Sequence, residues 1–390
     1  MRAGRGLVVA LGLAACGGQQ GAGDAAVAAD GAGTGAGPVA GGVDGAAAPA
    51  RAPLRLGWQT TWATEAQIVG ALERGGFLAA QGFDATFVPF AYGAPLNEAA
   101  LGGAVDVLLT ADQPALVLHA KDPQWGVIGR LMVNRVGLLS PQQGGAAAPD
   151  ALRGRRVAVP FGAAAHRHAL ATVRGAGLGS EVELVNLGIE EIGVLAAAGS
   201  AGGRWGDIDA VGAWDPTLAT LEESGQARVV SLGLAVGLVV MDDRYAAKHP
   251  GAPARVLAAL SSAIEAVRTD PAAADAAAIA AGLRASPSAL RRAAAVEPNF
   301  APGAGAPRMA LNAAELARVR EAGAFLVDAG IVAAVNVDAA LRPGAVEASA
   351  AAAPVPDAAG SAAPAPLEPA DAAGAPSDGP QPWAPEGRAP

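Results

Sequence analysis

The stretch "VPFGAAAHRHAL", residues 159–170, joins an apolar run to a helical one through a single glycine. Val157 to Phe161 reads as a short buried strand, Gly162 as its break, and the chain from Ala163 onward as a helix. A helix start leaves backbone N–H groups without partners, and Ser, Thr, Asp or Asn usually supplies a side-chain acceptor. Here the candidate cap is Gly162, and three alanines follow it. Either water or a ligand must satisfy those donors.

The same strand-to-helix rhythm runs along the chain in both directions. Strands are expected at 54–58, 85–90, 105–110, 126–132, 136–140, 156–160, 181–187, 210–212, 227–231 and 238–241. Helices are expected at 65–80, 95–101, 114–120, 164–176, 189–198 and 216–224, and they dominate from Ala252 on. This alternation predicts α/β architecture with mainly parallel sheets, and the restart at Arg156 predicts two lobes. Ligands of open parallel sheets bind beyond the carboxyl ends of the strands. Those ends read Gln59-Thr60-Thr61, Thr110-Ala111-Asp112-Gln113, Gly162-Ala163 and Trp214-Asp215.

The 390 residues are 52% hydrophobic, enough for one or two packed cores. The net charge of −9 and the lack of a basic run disfavour nucleic acid as a partner. Cys16 is the single cysteine, so neither an internal disulfide nor a cysteine metal cluster is open to this chain. Arg2 and Arg5, an apolar run from Leu7 to Leu13 and then Ala14-Ala15-Cys16 have the layout of a secretory signal over 1–15, too short to span a membrane. Leu13 to Cys16 resembles the lipobox of bacterial lipoproteins, which implies acylation of Cys16 and anchoring to a membrane surface. Residues 16–53 read as a Gly/Ala-rich tether and 341–390 as a disordered Ala/Pro-rich tail.

"LRLGWQTTWATEAQIVGALERGGF" (54–77), "GGAVDVLLTADQPALVLHA" (102–120), "LRGRRVAVPFGAAAHRHAL" (152–170), "VELVNL" (182–187), "GDIDAVGAWDPTLATLEESGQARVV" (206–230) and "MDDRYAAKHP" (241–250) follow in that order. Together they resemble the periplasmic substrate-binding proteins of ABC importers for taurine, alkanesulfonates and nitrate. The resemblance implies a two-lobed type II periplasmic-binding-protein fold. Each lobe is a mainly parallel sheet flanked by helices, and two crossover strands form the hinge. Lobe 1 would hold 54–137 and 236–340, and lobe 2 would hold 138–235. It also implies capture of a small organic anion between the lobes, delivery to a permease and its ATPase subunit, and a periplasmic or cell-surface location.

In such proteins the turn at 162–165 usually carries Ser or Thr hydroxyls for the anion; here Ala163, Ala164 and Ala165 leave only backbone donors. A helix N-terminus still offers oriented N–H groups and partial positive charge. The departure keeps other ligands open: nitrate, bicarbonate, a thiamin-precursor pyrimidine or an aromatic compound. A sensing or scaffold lipoprotein without a transporter also stays open. Gln59, Thr60, Thr61, Thr110 and Gln113 are candidate ligand donors, and His166 is a candidate hydrogen-bond partner. Trp62 and Trp214 could pack over an aliphatic linker, with Trp58 in the core. Glu65 reads either as the partner of a ligand ammonium or as a first-turn acid favoured by the helix dipole. Asp112 and Asp215 read either as ligand contacts or as caps of the helices begun at Pro114 and Pro216. Arg130 and Asn134 lie near the crossover and are further candidates to reach the anion.

His166 and His168 are two apart and face opposite sides of a helix, so no metal site is expected. No G-x-S-x-G, Walker loop, H-E-x-x-H or strand-linked G-x-G-x-x-G occurs, and neither a cofactor nor catalysis is expected.

Overall fold

A computed structural model describes residues 51–342. The expected signal peptide, Cys16, and nearly all of the expected tether and tail lie outside the described residues. β1 (Ala52–Gln59) leads to α1 (Ala63–Arg74) and the short α2 (Phe77–Ala80); β2 (Phe83–Phe90) leads to α3 (Gly93–Leu101), and β3 (Val107–Ala111) to α4 (Asp112–Lys121). β4 (Trp125–Pro141) then crosses into a second set: β5 (Arg156–Val159), α5 (Ala164–Gly175), β6 (Glu183–Asn186), α6 (Ile189–Ala197), β7 (Ala210–Trp214) and α7 (Thr217–Glu223). β8 (Ala227–Asp242) returns. α8 (Asp243–Lys248), α9 (Ala252–Thr269), α10 (Pro271–Ala280), α11 (Pro287–Ala294), α12 (Ala313–Asp328) and α13 (Val337–Ala340) complete the chain. No described helix is long and apolar enough to cross a membrane.

The eight strands form one sheet in the order β2-β1-β3-β8-β4-β7-β5-β6. β1 pairs parallel with β2 and β3, and β5 pairs parallel with β6 and β7. These parallel trios flank a central antiparallel pair, β4 and β8, which run from Trp125↔Asp242 to Pro141↔Ala227 with register shifts between Val127 and Gly129, Arg130 and Met132, and Leu138 and Leu139. The strands carry the apolar runs that buried sheets need. Leu54 and Leu56 of β1 and Val157 and Val159 of β5 are at most 1% exposed. Each such side chain contributes about 1.5–3 kcal/mol by leaving water.

β4 and β8 are each continuous, where the sequence suggests two strands apiece. Asn134 and Arg135 look like a polar break. They remain in β4 because Asn134 donates to the Asp215 carbonyl at 3.1 Å and Arg135 grips the Asp215 carboxylate at 2.7 and 2.8 Å. The expected helix over 65–80 is two helices, split at Gly75 and Gly76, where Gly76 takes φ +60°. Both edges of the folded part are wider than expected. β1 starts at Ala52, and Arg342 donates its N–H to the Val127 carbonyl at 2.8 Å while its guanidinium holds Asp243.

Candidate functional site

Gln59 at the end of β1, Ala111 at the end of β3, Gly162 and Ala163 after β5 and Trp214 at the end of β7 surround one small cavity of about 20 Å³. Its wall is completed by Trp62, Tyr92, Gly93, Ala94, Pro114 and Ala164. Four of these residues, Trp62, Tyr92, Ala111 and Ala163, are the N-caps of α1, α3, α4 and α5, and none makes a side-chain capping bond. Four helix starts therefore meet at one small space. Each brings the positive end of a helix, although the Ala63 N–H of α1 goes to the Asp215 carbonyl at 3.2 Å and the Gln113 N–H of α4 to the Asp112 carboxylate at 2.7 Å.

Gly162 precedes the α5 cap and takes φ +80°, a left-handed turn that glycine adopts without strain. Its N–H points back to His166 Nδ1 at 3.3 Å, and the Ala163 N–H goes to the Pro160 carbonyl at 3.2 Å. The N–H groups of Ala164 and Ala165 find no acceptor among the described residues. Ala163, rather than Gly162, is thus the cap, and the alanines leave the start of α5 bare. The Trp62 indole Nε1–H is also buried without a partner, on a side chain 2% exposed. Trp62 stacks on Trp214 with ring centroids 5.5 Å apart, and Trp214 Nε1 donates to the Thr61 carbonyl at 3.0 Å. At Gly93 a Cβ would sit 2.5 Å from Pro114 Cβ, so the close approach of α3 and α4 requires glycine there.

Among the described residues the cavity wall holds no carboxylate, ammonium, guanidinium or imidazole. Six of the sequence candidates line it together: Gln59, Trp62, Gly162, Ala163, Ala164 and Trp214. The others lie outside its wall. Thr60 and Thr61 spend their hydroxyls on the Phe90 and Ala91 carbonyls of the β2 end, at 3.2 and 2.7 Å. Thr110 is fully buried with an unpartnered hydroxyl behind Gly93, outside the wall. Gln113 donates to the Gly162 carbonyl at 2.6 Å. His166 turns to Gly162 and stacks on Phe161 at 4.6 Å; burial lowers its pKa and favours the neutral ring.

The two candidate aspartates and Arg130 are paired internally. Asp112 is the first residue of α4 rather than its cap, and its carboxylate meets Arg167 at 2.8 and 3.0 Å. Asp215 is held by Arg135 and accepts the Ala219 N–H at 3.0 Å, two residues before the start of α7 and one before its cap, Pro216. Burial pushes its pKa up against the pull of Arg135. Arg130 does not reach the cavity: it is fully buried between Glu297, at 2.6 Å, and Glu315, at 2.8 Å.

Glu65 is also fully buried and faces Gln59, accepting its backbone N–H at 2.6 Å. No cation pairs with it among the described residues. Burial raises its pKa well above the usual value, opposed by the Gln59 hydrogen bonds.

Sequence reasoning missed Tyr92, Gly93 and Ala94. The signal was present: they follow β2, which is also a parallel strand whose carboxyl end faces the ligand side.

No family model matches this chain, and no curated protein matches it. Solved structures do. The alkanesulfonate-binding protein SsuA from Xanthomonas axonopodis pv. citri, bound to MOPS, is 23% identical with a TM-score of 0.61, over 76% of this chain and 99% of that one. The periplasmic aliphatic sulphonate binding protein SsuA from Escherichia coli is 19% identical with a TM-score of 0.59, over 74% of this chain and 92% of that one. The desulfurization enzyme DSZB, in complex with biphenyl-2-sulfinic acid, is 18% identical with a TM-score of 0.59, over 77% of this chain and 99% of that one. The fold therefore hosts both binding proteins and an enzyme. Residues 51–342 have the two-trio α/β fold of the SsuA-like periplasmic binding proteins.

Proposed function

We propose that this protein is the extracytoplasmic solute-binding component of an ABC importer and that its ligand is a small aliphatic sulfonate. The observation that carries this reading is the convergence of four uncapped helix starts and an unpaired Trp62 N–H on a cavity without side-chain charge. Such a site favours an anion, because oriented N–H donors and helix ends replace its hydration without a titrating partner. The neutral wall disfavours a zwitterion such as taurine. Its ammonium would lose water and meet no carboxylate, and an unpaired buried charge costs several kcal/mol. Trp62 and Trp214 provide the apolar face for a short alkyl chain.

Lobe 1 (54–137 and 236–340) and lobe 2 (138–235) would close over the ligand by bending at β4 and β8. The closed form would present itself to the permease, whose ATPase subunit supplies the energy, and acylated Cys16 would keep the protein at the membrane. The cavity wall offers no Ser, Cys or His nucleophile and no carboxylic acid or base, which supports binding without catalysis.

Calorimetry of the purified full chain tests this against ethanesulfonate, taurine and nitrate. Micromolar affinity for ethanesulfonate, about −8 kcal/mol, with taurine weaker, is expected. Nitrate or taurine bound more tightly than ethanesulfonate would overturn the ligand assignment. Turnover of any bound compound would overturn the non-catalytic reading.

A further inference from the structure

Beyond the cavity, α4 and α5 face each other and do not pack broadly. They are joined by polar links. The fully buried Asp112 carboxylate takes Arg167 Nη2 at 2.8 and 3.0 Å. Arg167 Nη1 donates to the Arg318 carbonyl of α12 at 3.3 Å, and Gln113 Nε2 donates to the Gly162 carbonyl at 2.6 Å. One guanidinium on α5 thus ties together α4 and α12. Behind it lies an open groove of about 450 Å³ between α5 and α12, floored by Val136, Gly233 and Leu234 of the crossover strands. The ion pair bridges a gap instead of sealing a core. Ala164 borders both the groove and the cavity, so the pair stands beside the bare start of α5.

We propose that Arg167, paired with Asp112 and backed by the Gln113–Gly162 hydrogen bond, is a latch that holds the lobes closed over the cavity. The latch rests on the two-lobed reading above, since it joins residues assigned to opposite lobes. Both partners regain water when the lobes part, whereas closure pairs them in a place from which water is largely excluded. Arg167 and Gln113 are then positioning residues: they fix the start of α5 against α4 without touching the ligand. The Asp112 carboxylate also accepts the Gln113 N–H at 2.7 Å, so its geometry is set before the lobes meet.

The test is a spin-label distance measurement on the full chain in a Cys16→Ser background, with labels at Glu98→Cys of α3 and Val194→Cys of α6. Both sites are exposed and lie in opposite lobes. Arg167→Gln should shift the ligand-free distribution to longer distances and speed ethanesulfonate release about fivefold or more. Arg167→Lys should restore part of both. Asp112→Asn/Arg167→Gln leaves no unpaired buried carboxylate and should behave as Arg167→Gln does, with thermal unfolding confirming that each variant folds. Distances that lengthen neither in Arg167→Gln nor in the double variant, yet shorten with excess ethanesulfonate, would overturn the latch and leave the two-lobed reading standing. A single distance that neither substitution nor ethanesulfonate moves would overturn both.

Discussion

Five of the six helices after β8 and the four helices around the cavity start in opposite ways, α9 alone of the six opening on a glycine, Gly251, without a side-chain cap. α8, α10, α11, α12 and α13 open on Asp242, Asp270, Ser286, Asn312 and Asn336, and each side chain accepts a first-turn N–H. α1, α3, α4 and α5 open on Trp62, Tyr92, Ala111 and Ala163, and none of those does. Replacing a capping side chain by alanine costs about 1 kcal/mol; α2, α6, α7 and α9 also lack a side-chain cap, so what sets the four apart is that they meet at one cavity, as the proposed anion site requires. The buried charges repeat the contrast. Arg130 is matched by Glu297 and Glu315, and Glu297 also accepts the Val133 and Asn299 N–H groups. At the cavity the Trp62 indole N–H and the Ala164 and Ala165 N–H groups have no partner among the described residues.

The largest effect should fall on the matched region. Arg130→Met leaves two buried carboxylates without their shared cation. Removing one partner of a buried pair typically costs about 3–5 kcal/mol. Urea unfolding should show that loss, and a loss below about 1 kcal/mol would mean that the Arg130 cluster is not the paired structural element described. Hydrogen bonds at low pH follow the same logic. Glu315 is held down to about 2, its hydrogen bonds from Arg308, the Asn312 backbone and Arg130 overcoming the burial that pushes it up. Its contribution to stability is present above the ordinary carboxylate range and is lost as the pH falls toward 2.

The sharpest test of the comparison is to make the unmatched region resemble the matched one. Ala163→Asp gives α5 the cap it lacks and places a negative charge at the cavity wall. Stability should rise by about 1 kcal/mol, while ethanesulfonate binding should be lost. A variant that gains stability and still binds would show that the anion does not rest on α5. Trp62→Phe makes the same point from a side chain. It deletes a buried donor that has no partner, so stability should hold or improve. A hydrogen bond to a charged group contributes about 1.5–3 kcal/mol, so affinity should fall roughly tenfold or more. Calorimetry beside urea unfolding separates the two effects, and unchanged affinity would remove Trp62 from the site.

Much of this was legible in the sequence because it is local. Apolar runs ended by Gly, Pro or polar residues gave the strands, and the strand ends at Gln59, Gly162 and Trp214 do meet at one cavity. What was not legible depends on partners distant in sequence. Asn134 and Arg135 look like a strand break until Asp215 is placed beside them. Arg130 looks like an anion ligand until Glu297 and Glu315 arrive from the far end of the chain. Asp112 reads as a ligand contact or a helix cap until α5 brings Arg167 to it. The hydroxyls of Thr60 and Thr61 have a nearer partner that the sequence does not display: an edge strand offers carbonyls at its end, and the adjacent threonines take them.

Glu65 is the place where the two kinds of region overlap, and it gives the smallest effect. It is an acid in the first turn of a cavity helix, yet it is buried without a cation, with Gln59 its nearest donor. If it were fully charged it would offset the positive helix starts; burial instead raises its pKa well above 4.5 and favours the neutral form. The sign of the pH effect follows. Below 4.5 the carboxyl is protonated in both folded and unfolded chains, and the stability it allows is fully present. As the pH rises toward the folded value the unfolded chain releases its proton more readily, and that stability is lost. Glu65→Gln removes the proton from consideration. The stability of the wild type relative to Glu65→Gln should therefore decline from acid to neutral pH in urea titrations, while ethanesulfonate affinity at neutral pH stays within about twofold. A difference that is flat with pH, together with taurine binding that only the wild type shows, would make Glu65 a charged partner of a ligand ammonium. The cavity would then be a site for a zwitterion.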